Sequence, residues 1–162
     1  MRANTEAAIR ISRTAAEYSW GQWPIADVDE LAPFCALVGW RIGKNETNRW
    51  LETDLDPGSH TGLVHSWTGG VVGLSVTVTD VADPEHMSMA LRPPTIDCFA
   101  ELAEALTGTL GDAVEYRPGW EARIGWHLPR VGIQLTISPQ SIQLGLVDPR
   151  RVTSPHTPEE SR

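Results

Sequence analysis

The spacing of apolar residues predicts two helical regions near the start of the chain. Residues 5–17 are rich in alanine, the residue that most favours helix. After Asp27, apolar residues recur three and four positions apart, and Asp27 with Glu30 forms an Asp-x-x-Glu capping pair. Gly39 is a typical stop for this second helix, and Pro33 inside it is expected to kink or shorten it.

Beyond Arg49 the apolar residues alternate with polar ones, which predicts strands. The clearest strand is residues 72–78, where valine and leucine alternate with serine and threonine. Because one side of this strand is polar, we expect an antiparallel sheet with one face covered and one facing solvent. The alternation predicts about six strands, at residues 51–55, 63–67, 72–78, 122–126, 131–137 and 142–146.

A third helix is predicted between the two groups of strands. Its apolar stripe is Ile96, Phe99, Ala103, Leu106 and Leu110, with Thr95 as a candidate N-cap. The order α-(α)-βββ-α-βββ indicates an α+β fold, with an antiparallel sheet of about six strands covered by two or three helices. We predict a helical or flexible segment at 1–20, a single α+β domain at 21–148 and a disordered tail at 149–162.

The negative charge of the chain is concentrated in its central part, and this distribution indicates which classes of partner the protein can bind. The 162 residues have a net charge of −8, but residues 21–148 hold 17 acids and 7 bases. Such a body repels nucleic acid and anionic membranes, and attracts a basic protein. The alternative is an acidic surface that only maintains solubility. Two cysteines and no signal-peptide pattern favour a cytoplasmic protein.

No motif in the chain predicts catalysis or metal binding. The histidines lack a second histidine or a cysteine at ligand spacing, and the glycine-rich segments do not join a strand to a helix. Cys35 and Cys98 lie on or beside apolar stripes, which is typical of buried, unreactive thiols. We therefore expect no catalytic residue, no metal and no cofactor.

Tryptophan is the unusual residue of this composition, with seven against two phenylalanines and two tyrosines. Trp40, Trp67 and Trp126 fall at the ends of elements or on apolar faces, so we expect them in the core. Trp120 instead lies in a loop beside Glu121, where an exposed indole is typical of protein interfaces. The alternative is that Trp120 packs over the edge of the sheet.

The chain resembles small actinobacterial proteins of a domain family of unknown function over about residues 20–148. The resemblance rests on structural positions: Trp23-Pro24-Ile25, Gly39-Trp40, Asp97-x-Phe99, Leu110-Gly111, Pro118-Gly119, Trp126, Ile133-x-Leu135 and Ile142-x-Leu144-x-Leu146. The element order is also similar to that of secretion chaperones. A fold analogy of this kind says little about function.

These proteins in turn resemble the acidic immunity proteins encoded beside secreted bacterial toxins. That resemblance implies a cytoplasmic inhibitor that blocks a cognate toxin domain by placing acidic and aromatic side chains in its basic cleft. A secretion chaperone or adaptor that binds an exported protein is the alternative, and an enzyme is a third. The candidate partner-binding residues are Trp120, Glu121 and Glu115, the loop Asp80, Asp83 and Glu85, and the patch Glu52, Asp54 and Asp56.

Overall fold

The sheet of this protein is antiparallel throughout and is covered by helices on one face. The computed structural model describes residues 1–81, 93–119 and 121–153. Within them, eight strands follow the order β1-β2-β3-β4-β8-β7-β6-β5. The strands are β1 Arg41–Lys44, β2 Arg49–Glu52, β3 Thr61–Trp67, β4 Gly70–Thr77, β5 Glu115–Arg117, β6 Arg123–His127, β7 Gly132–Ile137 and β8 Ile142–Val147, and the α-helices are α1 Thr5–Glu17, α2 Ala32–Val38 and α3 Pro93–Leu110.

The structure confirms the predicted α+β class and corrects the number of strands from about six to eight. The two strands that the sequence did not reveal are β1 and β5, at the two edges of the sheet. They contain four and three residues, and each holds a single large apolar or aromatic side chain, Ile42 in β1 and Tyr116 in β5, so no alternating pattern stands out. The remaining six correspond to the predicted strands.

The local signals around α2 are confirmed. Asp27 and Glu30 form a complete capping box on a 3₁₀ turn at Val28–Leu31. Pro33 lies in the first turn of α2, where its missing N–H breaks no hydrogen bond. The predicted helix is therefore divided into a 3₁₀ turn and a short α-helix, and Gly39 ends it with a φ of +83°.

The helices bury a continuous apolar core against one face of the sheet. Leu51, Leu74, Leu135 and Leu144 are buried on this face together with Leu106 of α3. An aromatic cluster fills the space near α2, with ring centroids 4.8–6.0 Å apart. Its members are Tyr18, Trp20, Trp23, Phe34 and Trp40.

The core extends beyond both predicted domain boundaries. In α1, Ala8, Ile11 and Ala15 are fully buried, so residues 1–20 are not separate from the domain. At the other end, a 3₁₀ turn at Pro149–Arg151 is followed by Val152, which is also buried. The tail prediction is therefore wrong for residues 149–153, and residues 154–162 lie outside the described part of the chain.

The apolar stripe of α3 is rotated relative to the predicted one. Thr95, Cys98, Leu102 and Leu106 are the buried positions, whereas Ile96 is 48% exposed. The helix already begins at Pro93, so Thr95 is not its N-cap. The rotation follows from packing, because α3 contacts α1 as well as the sheet.

Candidate functional site

The face of the sheet opposite the helices, called here the open face, carries the polar chemistry. One row of directly opposed residues crosses all eight strands on this face. Small residues in the row leave space between large ones, so the face is uneven. From β1 to β5 in spatial order the row is Gly43, Trp50, Leu63, Ser75, Gly145, Gln134, Gly125 and Glu115.

The β1–β3 end of the open face is apolar and exposed. The Trp50 indole covers Gly43, where a β-carbon would overlap the ring. Beside it, Leu63 is 52% exposed and Trp67 is 71% exposed. The prediction that Trp67 belongs to the core is therefore wrong, whereas Trp40 and Trp126 are buried as expected. Large exposed apolar side chains on one surface are typical of binding sites.

The middle of the open face holds a cavity of about 410 Å³. His65 borders it from β3, and its Nε2 shares a hydrogen bond of 2.8 Å with Ser75 Oγ on β4. Arg123 and Arg151 line the same cavity. Burial, and then the positive charge of Arg151, lowers the pKa of His65 below its ordinary value, which favours the neutral ring near pH 7.

The β5–β6 end is organised by one buried carboxylate. Glu115 is fully buried, and its Oε2 accepts hydrogen bonds from Arg117 Nε at 3.0 Å and Arg123 Nη2 at 3.2 Å. Its Oε1 accepts from Gln134 Nε2 at 2.9 Å, and Thr153 Oγ1 donates to Oε2 at 3.3 Å. The carboxylate is thus saturated within the fold. This corrects the expected placement of Glu115 on a partner-binding surface.

Two predicted acidic groups that are distant in sequence lie around one residue of the N-terminal segment. The backbone N–H of Arg2 donates to Asp80 Oδ1 at 2.8 Å, and its guanidinium Nη2 lies 3.9 Å from Asp56 Oδ1. Asp54 is exposed in the same loop as Asp56. Glu52 lies on β2 and pairs with Arg41 at 3.3 Å. Asp54, Asp56 and Asp80 are called here the acidic patch.

Among the described residues, Glu121 lies far from this patch. Glu121 is exposed beside β6, near the β5 edge of the sheet. Six strand spacings separate β2 from β5, which corresponds to roughly 29 Å across the sheet. Trp120, Asp83 and Glu85 lie outside the described residues.

The cavity residues were missed by sequence reasoning. The alternation Leu63-x-His65-x-Trp67 does place a histidine and a tryptophan on one face, but the arginines come from β6 and from the chain after β8. In the described ranges, no cluster of three or more histidine, cysteine or acidic side chains could hold a metal ion. Nor does any helix there have the length and apolarity needed to cross a membrane.

The architecture defines a small α+β protein with one helix-covered antiparallel sheet and a polar cavity on its open face. The chain belongs to the family of unknown function DUF6301, whose family model matches residues 6–148. That match includes α1, in agreement with its place in the core. No curated protein and no solved structure matches the chain significantly.

Proposed function

We propose that this protein is a cytoplasmic immunity protein that neutralises a cognate secreted toxin by binding it through the acidic patch. The observation that carries the proposal is the convergence of Asp54, Asp56 and Asp80 at one exposed surface. Long-range attraction between such a surface and a basic cleft accelerates association, and close carboxylates then select against partners of the wrong charge.

The charge of the surroundings supports this assignment. Arg2 offsets part of the patch through its contacts with Asp56 and Asp80, but the Asp56 side chain is still 85% exposed. Glu6 and Arg10 lie beside the patch and cancel each other. The patch therefore keeps an excess of negative charge that solvent can reach, as binding to a basic cleft requires.

A second candidate function is a secretion chaperone or adaptor for an exported protein. Exposed Leu63 and Trp67 favour it, because an extended apolar segment could pack on this end of the open face. The two functions use different chemistry. An inhibitor that acts through carboxylates loses affinity with salt, whereas binding to apolar side chains does not.

The test begins with capture of the bound protein from the source organism at low and high salt. The captured partner is purified, and its association rate is measured with the native protein and with a triple variant, Asp54→Lys, Asp56→Lys and Asp80→Lys. A matched control reverses three exposed acids elsewhere, Glu17→Lys, Glu104→Lys and Asp112→Lys, so that net charge changes equally.

Under the immunity proposal the patch variant associates at least about tenfold more slowly than the control, with a weaker dependence on salt. It also fails to protect cells that express the captured toxin. Equal rates for the two variants would refute the patch as the binding surface. Loss of binding in Leu63→Ser with Trp67→Ser, but not in the patch variant, would favour the chaperone function.

A further inference from the structure

The cavity on the open face is floored by strands and bordered by side chains that carry hydrogen-bonding groups. Gly145 lies on the floor, and an added β-carbon there would have no heavy atom closer than 3.7 Å. Ser75, Gln134 and Gln143 line the walls. A volume of about 410 Å³ falls in the range of small-molecule sites.

The groups around this cavity carry an excess of positive charge in an acidic protein. Arg117 and Arg123 share the single carboxylate of Glu115, and Arg151 adds a further charge at the rim. Asp148 is already paired with Arg150 at 2.6 Å. Of the described residues that line the cavity, Arg123 and Arg151 are positively charged and none is acidic, and the carboxylate that Arg123 contacts is shared with Arg117. The lining therefore keeps an excess of positive charge, which the field of a concave site concentrates.

Two of the polar groups are fixed in a way that prepares the site for a ligand. Gln134 Nε2 donates to Glu115 Oε1 and to the carbonyl oxygen of Arg151, at 2.9 and 3.2 Å. Its orientation is thereby set, and its amide oxygen remains as an acceptor. Arg123 Nε is buried and has no hydrogen-bond partner among the described residues. A buried donor of this kind gains when an acceptor arrives.

We propose that this cavity binds a small organic oxyanion, a carboxylate or a phosphate monoester, through Arg151 and Arg123. The arginines bind the charged group, because guanidinium forks match the oxygens of both anions. Ser75, Gln134 and Gln143 contact the polar body of the molecule. The site does not depend on the proposed toxin binding, since the acidic patch contributes no residue to it.

The experiment follows amide shifts of the ¹⁵N-labelled full chain during titration with succinate, orthophosphate and chloride at constant ionic strength. Arg151→Gln removes one cavity charge and keeps the backbone carbonyl that Gln134 uses. Arg130→Gln is the matched control, because Arg130 is also exposed and its carbonyl accepts from Trp23 Nε1. Gly145→Leu fills the cavity from its floor, where the β-carbon has room.

We expect succinate, orthophosphate or both to give saturable shifts at Gly73 and Gly145, with dissociation constants on the order of millimolar. Preference for one identifies the oxyanion class. Arg151→Gln should weaken binding by at least about tenfold, and Gly145→Leu should abolish it while the folded spectrum is retained. Arg130→Gln should bind normally. Saturation by neither anion up to about 50 mM, or equal binding by both arginine variants, would overturn the proposal.

Discussion

Glu115 offers the sharpest test of how the polar half of the sheet is stabilised. Its carboxylate is fully buried and accepts from Arg117 and Arg123, whose side chains are 50% and 32% exposed. Breaking a buried ion pair by removing one partner costs about 3–5 kcal/mol. Because both arginines can turn partly towards solvent, the cost for this network falls towards the lower end of that range.

Two substitutions separate the charge from the rest of the side chain. In Glu115→Gln the acceptor of the two arginine hydrogen bonds loses its negative charge, so each bond loses its ion-pair attraction, about 1 kcal/mol each. The new amide also places a donor against Arg117, Arg123 or Gln134. We therefore expect the free energy of unfolding to fall by about 2–3 kcal/mol. Glu115→Ala also leaves a cavity, so about 4 kcal/mol is expected.

The assay is urea unfolding followed by tryptophan fluorescence, with Glu121→Gln as the control at an exposed glutamate. The control should change the free energy of unfolding by no more than about 0.5 kcal/mol. The loss in Glu115→Gln should persist in about 0.5 M salt, because buried pairs are poorly screened. A loss below about 0.5 kcal/mol would show that solvent reaches the carboxylate, and the network would then not stabilise the fold.

Three further predictions concern single groups. Cys35 is buried, which raises the pKa of its thiol to about 11, and burial also raises the pKa of Cys98. Both cysteines should therefore react with a thiol reagent only after unfolding. Rapid labelling of the native protein would contradict their burial. The pKa of His65 is lowered from 6.5 by burial and then by Arg151. The unfolded chain therefore takes up the proton first, and the free energy of unfolding falls as the pH drops below 6.5, until the folded-state pKa is reached. His65→Gln should lessen this loss in unfolding curves between about pH 7.5 and 5, and an unchanged pH dependence would contradict the lowered pKa. Trp67→Ser should alter the free energy of unfolding by no more than about 0.5 kcal/mol, because Trp67 is 71% exposed, and a larger loss in urea unfolding would place the indole in the core.

Local signals allowed most of the helices and strands to be predicted. The capping box at Asp27 and Glu30 and the stop at Gly39 depend only on neighbouring residues, and the structure confirms both. Alternation likewise revealed six strands, because each of the six segments places at least two apolar residues on one side of the chain. The edge strands β1 and β5 each hold only one large apolar or aromatic residue, so their pairing in the sheet, and not a sequence pattern, defines them.

Finding the two faces of a strand from its alternation is easier than predicting which of them packs against the helices. Period-two alternation groups Leu63, His65 and Trp67 on one side of β3, but it cannot say whether that side meets the helices. The answer depends on register, because Leu63 opposes Ser75 and not Leu74. A tryptophan was therefore assigned to the core although it lies on the open face.

The candidate site was hidden because its residues meet only through non-local pairing. β4 pairs with β8, which brings Ser75 opposite Gly145, although 70 positions separate them in the sequence. Glu115 meets Arg123 and Gln134 only after β5, β6 and β7 have aligned. These contacts cannot be predicted from the spacing of the residues in the sequence. Net acidity also concealed an electropositive cavity, since an average charge contains no information about its distribution.

The glycines of the open face show where shape has been favoured over stability. Glycine inside a strand weakens the sheet, so each one needs a steric reason. Gly43 makes room for Trp50, Gly125 for Glu115, and Gly132 for Val152. Gly145 has no such neighbour, although β8 is a central strand where a branched side chain would be more stable. The space left by the absent side chain of Gly145 forms the floor of the cavity. Packing within the protein does not require a glycine at this position, whereas a molecule bound in the cavity would.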